Sequence, residues 1–131
     1  MEPSTASEQP VTSIMRTKLL TAAPEAPVRE VLALLRDKHI GCVPIIDTAG
    51  HPLGMVTKLD ILETLGEERR SAREIMMPFA RCLELSATVG EAATLMSNER
   101  VHHVLVVDDD RNLVGLVSSL DIAAWVARHG S

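Results

Sequence analysis

The chain reads Gly54-Met55-Val56-Thr57-Lys58-Leu59-Asp60-Ile61 near its middle and Gly115-Leu116-Val117-Ser118-Ser119-Leu120-Asp121-Ile122 near its end. The two stretches stand 61 residues apart (54 to 115), and the same offset holds without a gap well beyond them. It pairs Ile14-Met15 with Ile75-Met76, Val28 with Val89, Glu30 with Glu91, Leu34 with Leu95, Val43 with Val104 and Asp47 with Asp108. One register sustained through so many matches identifies a tandem duplication, which has to be recognised before any single motif is weighed.

Each copy carries the same pattern. A short extended stretch, Leu19-Leu20-Thr21 or Cys82-Leu83-Glu84-Leu85, precedes a helical periodicity. Val28, Val31, Leu32 and Leu35 fall on one helical face, as do Val89, Ala92, Ala93 and Met96. Thr88 and Glu91 have the spacing of a capping box. The first copy has Pro27 in place of Thr88, and proline suits a helix start. The runs Val43-Pro44-Ile45-Ile46 and Val104-Leu105-Val106-Val107 are apolar without alternation, which predicts strands covered on both faces. Pro44 has no N–H and so favours a sheet edge or a strand start. Turn residues follow, then second strands (Leu53 to Thr57, Leu113 to Ser118) and final helices starting near Lys58 and Ser119. The unit is β-α-β-β-α, twice, an α/β (α+β) fold. The boundaries expected are a disordered tail over 1–10, a first repeat over 11–65, a mixed-charge linker over 66–73 and a second repeat over 74–128. One copy is marginal alone by surface-to-volume scaling, so the copies are expected to pack with pseudo-twofold symmetry around a cleft.

Composition narrows the function. The 131 residues are 46% hydrophobic and 24% charged, with one Trp, one Phe and no Tyr. A net charge of -5 and so few aromatics argue against nucleic-acid binding, which needs cations for phosphates and rings for bases. Cys42 and Cys82 lack the paired spacing of a zinc site or disulfide scaffold and read as free thiols of a reducing compartment. Residues 1–10 carry no apolar signal core, and no apolar run approaches the roughly 18 residues of a membrane span. A cytoplasmic location is the expectation.

The Gly-x-x-Thr/Ser-x-x-Asp segments leave a strand and enter a helix. Exposed amides on a first helical turn attract anions, and an Asp carboxylate, accepting only, can hold two ribose hydroxyls. The same residues also have the spacing of a helix cap, and duplication copies caps as faithfully as sites. Gly54 and Gly115, lacking Cβ, admit either a ligand or another strand. Both pairs of readings are open on the residues alone.

In order, spacing and duplication, the span from about Thr12 to Trp125 resembles a tandem pair of CBS domains, also called a Bateman module. The residues carrying the likeness are Ile14-Met15, Ile75-Met76, Val43-Pro44-Ile45-Ile46-Asp47, His103-Val104-Leu105-Val106-Val107-Asp108 and the two Gly-x-x-Thr/Ser-x-x-Asp segments. The resemblance implies clefts for adenosine derivatives such as AMP, ADP, ATP or S-adenosylmethionine. It implies Asp60 and Asp121 on ribose hydroxyls, Thr57 and Ser118 near ribose or phosphate, and Val43, Pro44, Val104 and Leu105 flanking the base. Thr21 would line the first cleft, and His103 would stand near phosphates. Cys82 in place of Thr21, and Leu105 in place of Pro44, make the second copy differ from the first.

Neighbouring His102 and His103 would point to opposite faces of a strand and cannot share a metal. No nucleophile elbow or His-Glu-x-x-His is present, and no His has a sequence reason to activate Ser118 or Ser119. No catalytic residue, metal site or obligatory cofactor is expected. The expected function is a regulatory sensor of adenosine ligands that forms a homodimer and signals in trans to a protein target. The alternative is a ligand-free dimerisation scaffold.

Overall fold

The computed structural model describes residues 8–64, 70–78 and 82–129. They fall into two compact units, Leu20–Ala80 in one, Met1–Leu19 with Arg81–Ser131 in the other.

The unit from Leu20 contains α1 (Val28–Asp37), β1 (Cys42–Ile46), β2 (Pro52–Thr57), α2 (Lys58–Glu63), α3 (Ala72–Ile75) and β3 (Met77–Pro78). Helix α1, capped at Pro27, buries Val28, Val31 and Leu35 of the predicted face, while Leu32 of that face is half-buried. Glu30 in its first turn and Arg36 in its last complement the helix dipole. The sheet order is β1-β2-β3, both pairings antiparallel, with β1 at an edge, one of the two positions Pro44 favours. The strand expected at Leu19 to Thr21 is reduced to one parallel bridge between Ala22 and Ile45. Pro44 explains this. Ala22 N–H donates to the Pro44 carbonyl (3.1 Å), and the Ala22 carbonyl accepts from Ile46 N–H (3.0 Å). The next bond toward the N-terminus would need the N–H that Pro44 lacks.

The second unit contains a 3-10 turn (Val11–Ser13), β4 (Cys82–Glu84), α4 (Val89–Glu99), β5 (His103–Val107), β6 (Leu113–Ser118) and α5 (Ser119–His129). Leu105 stands where β1 has Pro44, and the extended stretch here is a true strand: β4 runs parallel to β5 with Cys82 opposite Leu105. Thr88 and Glu91 form the predicted capping box, Glu91 N–H donating to Thr88 Oγ1 (3.1 Å) and Thr88 N–H to Glu91 Oε1 (3.2 Å). Helix α4 buries Val89, Ala92 and Met96, while Ala93, predicted on that face, is exposed. Strand β5 is buried from Val104 through Val107, both faces covered as its unbroken apolar run predicts.

The compact units are not the two sequence repeats, because the copies exchange their lead-in segments. Val11, fully buried, packs with Ala87, Ala92, Met96, Val104, Val106 and Val117 of the second copy, and Met15 and Ile14 lie against the same cluster. Its repeat counterpart Ala72, also fully buried, packs with Val28, Val31, Leu35, Val43, Ile45, Val56 and Ile61 of the first, joined by Ile75 and Met76. Backbone bonds hold both. Val11 N–H donates to Ala87 O (2.8 Å) and Val89 N–H to Gln9 O (2.8 Å), so Gln9 and Pro10, assigned to the tail by sequence, belong to this unit. Ala72 N–H donates to Ala26 O (2.7 Å) and Val28 N–H to Arg70 O (2.7 Å), so residues 70–73, assigned to the linker, belong to the first copy's core. Glu67, Glu68 and Arg69 of that linker, and residues 1–7 of the tail, lie outside the described residues.

The exchange also settles the reading of the glycines. A Cβ on Gly54 would collide with the carbonyl of Met77 and come within 2.8 Å of Met76 Sδ. A Cβ on Gly115 would come within 2.5 Å of Met15 Sδ. Each glycine admits the other copy's lead-in segment.

Candidate functional site

In each copy the strand-to-helix turn is closed by its Asp. Thr57 N–H (2.7 Å) and Thr57 Oγ1 (3.1 Å) both donate to Asp60 Oδ2 at the start of α2. At the start of α5, Ser118 N–H donates to Asp121 Oδ2 (2.9 Å) while Asp121 N–H donates to Ser118 Oγ (3.1 Å). The cap expected as one reading is therefore present in both copies, but it uses one carboxylate oxygen. Among the described residues Asp60 Oδ1 has no hydrogen-bond partner, which leaves a half-buried acceptor beside the turn. A cap and a ligand contact are compatible on one carboxylate.

The other oxygen of Asp121 is taken. Arg16 Nε donates to Asp121 Oδ1 (3.1 Å), and Arg16 Nη2 lies 3.1 Å from the same atom. Arg16 comes from the lead-in segment, where its backbone pairs with Leu116 in both directions (2.8 and 3.0 Å). Sequence reasoning missed Arg16. The signal available was the offset itself, since Arg16 falls opposite Met77 in the repeat, a cation against a thioether. His103 lies across the β5–β6 ladder from Ser118 and is half-buried. Burial chiefly, with the His102 and Arg16 charges, pushes its imidazole below the ordinary 6.5, while Asp121 opposes the shift. In the first copy Cys42 occupies the His103 register opposite Thr57. Burial, then the Asp60 charge, pushes the Cys42 thiol up to about 12, so it is a neutral wall rather than a nucleophile.

The remaining predicted site residues divide by face. Val43 and Val104 belong to their own core clusters, so their side chains are withdrawn and only their backbone is left to flank a base. Pro44 and Leu105, also buried, are absent from those clusters and alternate to the opposite face of their strands. Thr21 is half-buried, one residue before the Ala22 bridge, and lies on no regular strand.

His102 is exposed and, against the sequence expectation, its Nδ1 lies 3.4 Å from Ser119 Oγ. The β5–β6 register that sets His103 opposite Ser118 brings them together. No carboxylate of the described residues orients the ring, so the pair lacks the third member of a hydrolytic triad. Among the described residues no group of His, Cys, Asp and Glu could hold a metal ion, and no helix is long and apolar enough to cross a membrane.

His103 carries a first testable consequence. Its imidazole is neutral in the fold at pH values where the unfolded chain is already protonated. The unfolded state then binds more protons, and stability is lost as pH falls through 6.5 toward the lowered folded value. Denaturant titrations at several pH values should show this loss, and His103→Gln should flatten it. Equal pH slopes in both proteins would exclude His103 as its source.

Two α/β units, each with a strand-to-helix turn closed by an Asp carboxylate, define a tandem-repeat α/β module. The CBS domain family model matches residues 11–67 and 72–128, and the chain belongs to that family as a tandem pair. It is similar to the CBS domain pair of protein MJ0100 solved in complex with 5′-methylthioadenosine and S-adenosyl-L-methionine. That likeness has a TM-score of 0.87 and 29% identity over 93% of this chain and 98% of that one. It is 31% identical to the uncharacterized protein MJ1404 of Methanocaldococcus jannaschii over 89% of this chain and 32% of that protein. It is 29% identical to the 5′-AMP-activated protein kinase subunit gamma-3 of Bos taurus over 74% of this chain and 22% of that subunit. The chain thus spans a third or less of these two relatives.

Proposed function

We propose that the chain is a regulatory module that binds adenosine-containing ligands at the Thr57–Asp60 and Ser118–Asp121 turns and transmits occupancy by conformational change to a protein target in trans, acting as a cytoplasmic homodimer without catalysis of its own. The observation that carries this reading is Asp60, whose carboxylate closes the cap through Oδ2 and keeps Oδ1 open. The likeness to a CBS pair holding two adenosine derivatives supports the ligand class. S-adenosylmethionine and its thioether relatives, AMP, ADP and ATP are the ligands to test. A ligand shifts such a module only by its differential affinity for two conformations.

Asp60→Asn separates ligand from cap. Asparagine keeps a carbonyl oxygen for Thr57 but replaces the second acceptor by a donor. Calorimetry should show affinity falling by about tenfold to a hundredfold at the first turn, the equivalent of charged hydrogen bonds of roughly 1.5–3 kcal/mol, with melting temperature nearly unchanged. Unchanged binding would refute the ribose role of Asp60.

One observation favours the scaffold alternative. Leu59 and Leu62 on α2 and Leu120 on α5 are large apolar side chains more than half exposed. A concentration-dependent dimer that binds no adenosine compound would establish that alternative.

A further inference from the structure

The duplication places chemically opposite groups at one register. Met77 pairs with Met55 on β2, and Arg16 pairs with Leu116 on β6, the same position 61 residues apart. Cys42 and His103 are likewise counterparts. The first turn is therefore accompanied by a thioether and a neutral thiol, and the second by a guanidinium and an imidazole. Lys58 opens α2 beside the first turn but makes no hydrogen bond or ion pair with Asp60 among the described residues.

The Arg16–Asp121 pair is built unevenly. The Arg16 side chain is 66% exposed and that of Asp121 only 12%. The cation faces solvent and the carboxylate lies behind it. An ion pair with one partner so exposed contributes little to stability, so Arg16 can leave Oδ1 at small cost. A guanidinium so released matches a phosphate in geometry and charge, donating two parallel hydrogen bonds. His103, neutral, can add one donor. A ligand bearing only hydroxyls would have to displace Arg16 from Asp121 and give it nothing in return.

We propose that Arg16 is a specificity-determining residue that makes the second turn a site for 5′-phosphorylated adenosine ligands, while the first turn, with Met77 at that register, takes adenosine ligands without requiring a phosphate. The proposal rests on the adenosine-binding reading above and names the ligand form for one of its two sites. In it Arg16 exchanges partners. Unliganded, it holds Asp121 Oδ1; with ligand bound, it holds the phosphate and Asp121 holds the ribose. Arg16 lies on the lead-in segment that completes the second unit's core, so the exchange tugs on the strand pairing between Arg16 and Leu116.

The test is calorimetry with AMP and adenosine on the full chain, unsubstituted and in an Asp60→Asn background that weakens the first turn so that the second dominates the signal. AMP should bind about tenfold to a hundredfold more tightly than adenosine, the range expected of charge-assisted hydrogen bonds. Arg16→Met should erase that preference by weakening AMP while leaving adenosine unchanged or tighter, because Oδ1 is then free. Arg16→Lys should restore part of it, which guards against a misfolded methionine variant. Equal losses for AMP and adenosine, or an unchanged ratio, would overturn the proposal. So would a preference that survives Arg16→Met and disappears in Lys58→Ala. If the parent binds both compounds equally, adenosine binding stands and the role of Arg16 falls. If neither compound binds at either turn, both readings fall together.

Discussion

A fragment of residues 20–80 is expected to melt cooperatively, whereas one of residues 11–67, the first repeat as sequence similarity cuts it, is not. The longer cut keeps Ala72, Ile75 and Met76, which close the core of Val28, Val31, Leu35, Val43, Ile45, Val56 and Ile61. It also keeps β3 on β2 and the bonds from Ala72 to Ala26 and from Val28 to Arg70. The repeat-based cut loses all of these and retains Val11, Ile14 and Met15 with no core to enter, since they pack on the second copy. Burying an aliphatic side chain contributes roughly 1.5–3 kcal/mol. The difference between fragments is then about 4 kcal/mol or more, close to the whole stability of a small domain. Circular dichroism melts of the two peptides make the comparison. A cooperative transition in residues 11–67 would mean that the exchanged segments are not structural.

The second large effect concerns Gly54→Ala and Gly115→Ala, which the repeat makes look equivalent. They are expected to differ. The alanine methyl at position 54 meets the backbone carbonyl of Met77, which no rotamer change can relieve, so β3 must separate from β2. At position 115 the nearest atom is the flexible Met15 Sδ, and the nearest backbone atom, Arg16 O, is at an ordinary 3.4 Å. Overpacking costs about 1–3 kcal/mol; Gly54→Ala is expected at or above the top of that range and Gly115→Ala at or below the bottom. Urea denaturation of both variants measures the difference, and equal losses would contradict the asymmetry.

Much of the fold was legible because it is local. The stripe Val28, Val31, Leu35 declares α1, Thr88 and Glu91 declare the start of α4, and the unbroken apolar runs declare β1 and β5. Pro44 announced an edge strand, but its further effect, shortening the preceding strand to a single bridge, depends on which side of the sheet its missing N–H faces. The exchange of lead-in segments was hidden because Val11 and Ala72 each sit in a short helical turn whose partner lies far along the chain. Periodicity reports that such a residue is buried, not by which copy. At the site, the spacing of Thr57 with Asp60 and of Ser118 with Asp121 was visible, and so were its two meanings. That a single carboxylate can serve both, one oxygen for each, is a matter of geometry. Arg16 escaped notice because its carboxylate partner is 105 residues away in sequence.

The most direct test of the central claim is calorimetry, with a parallel thermal-shift series, of the intact chain against S-adenosylmethionine, 5′-methylthioadenosine, AMP, ADP and ATP. At least one of them should bind saturably and, at a hundredfold excess over its Kd, raise stability by roughly 2.7 kcal/mol through mass action. Absence of both heat and shift with all five would contradict the assignment of this CBS pair as an adenosine-ligand sensor and leave the scaffold in its place.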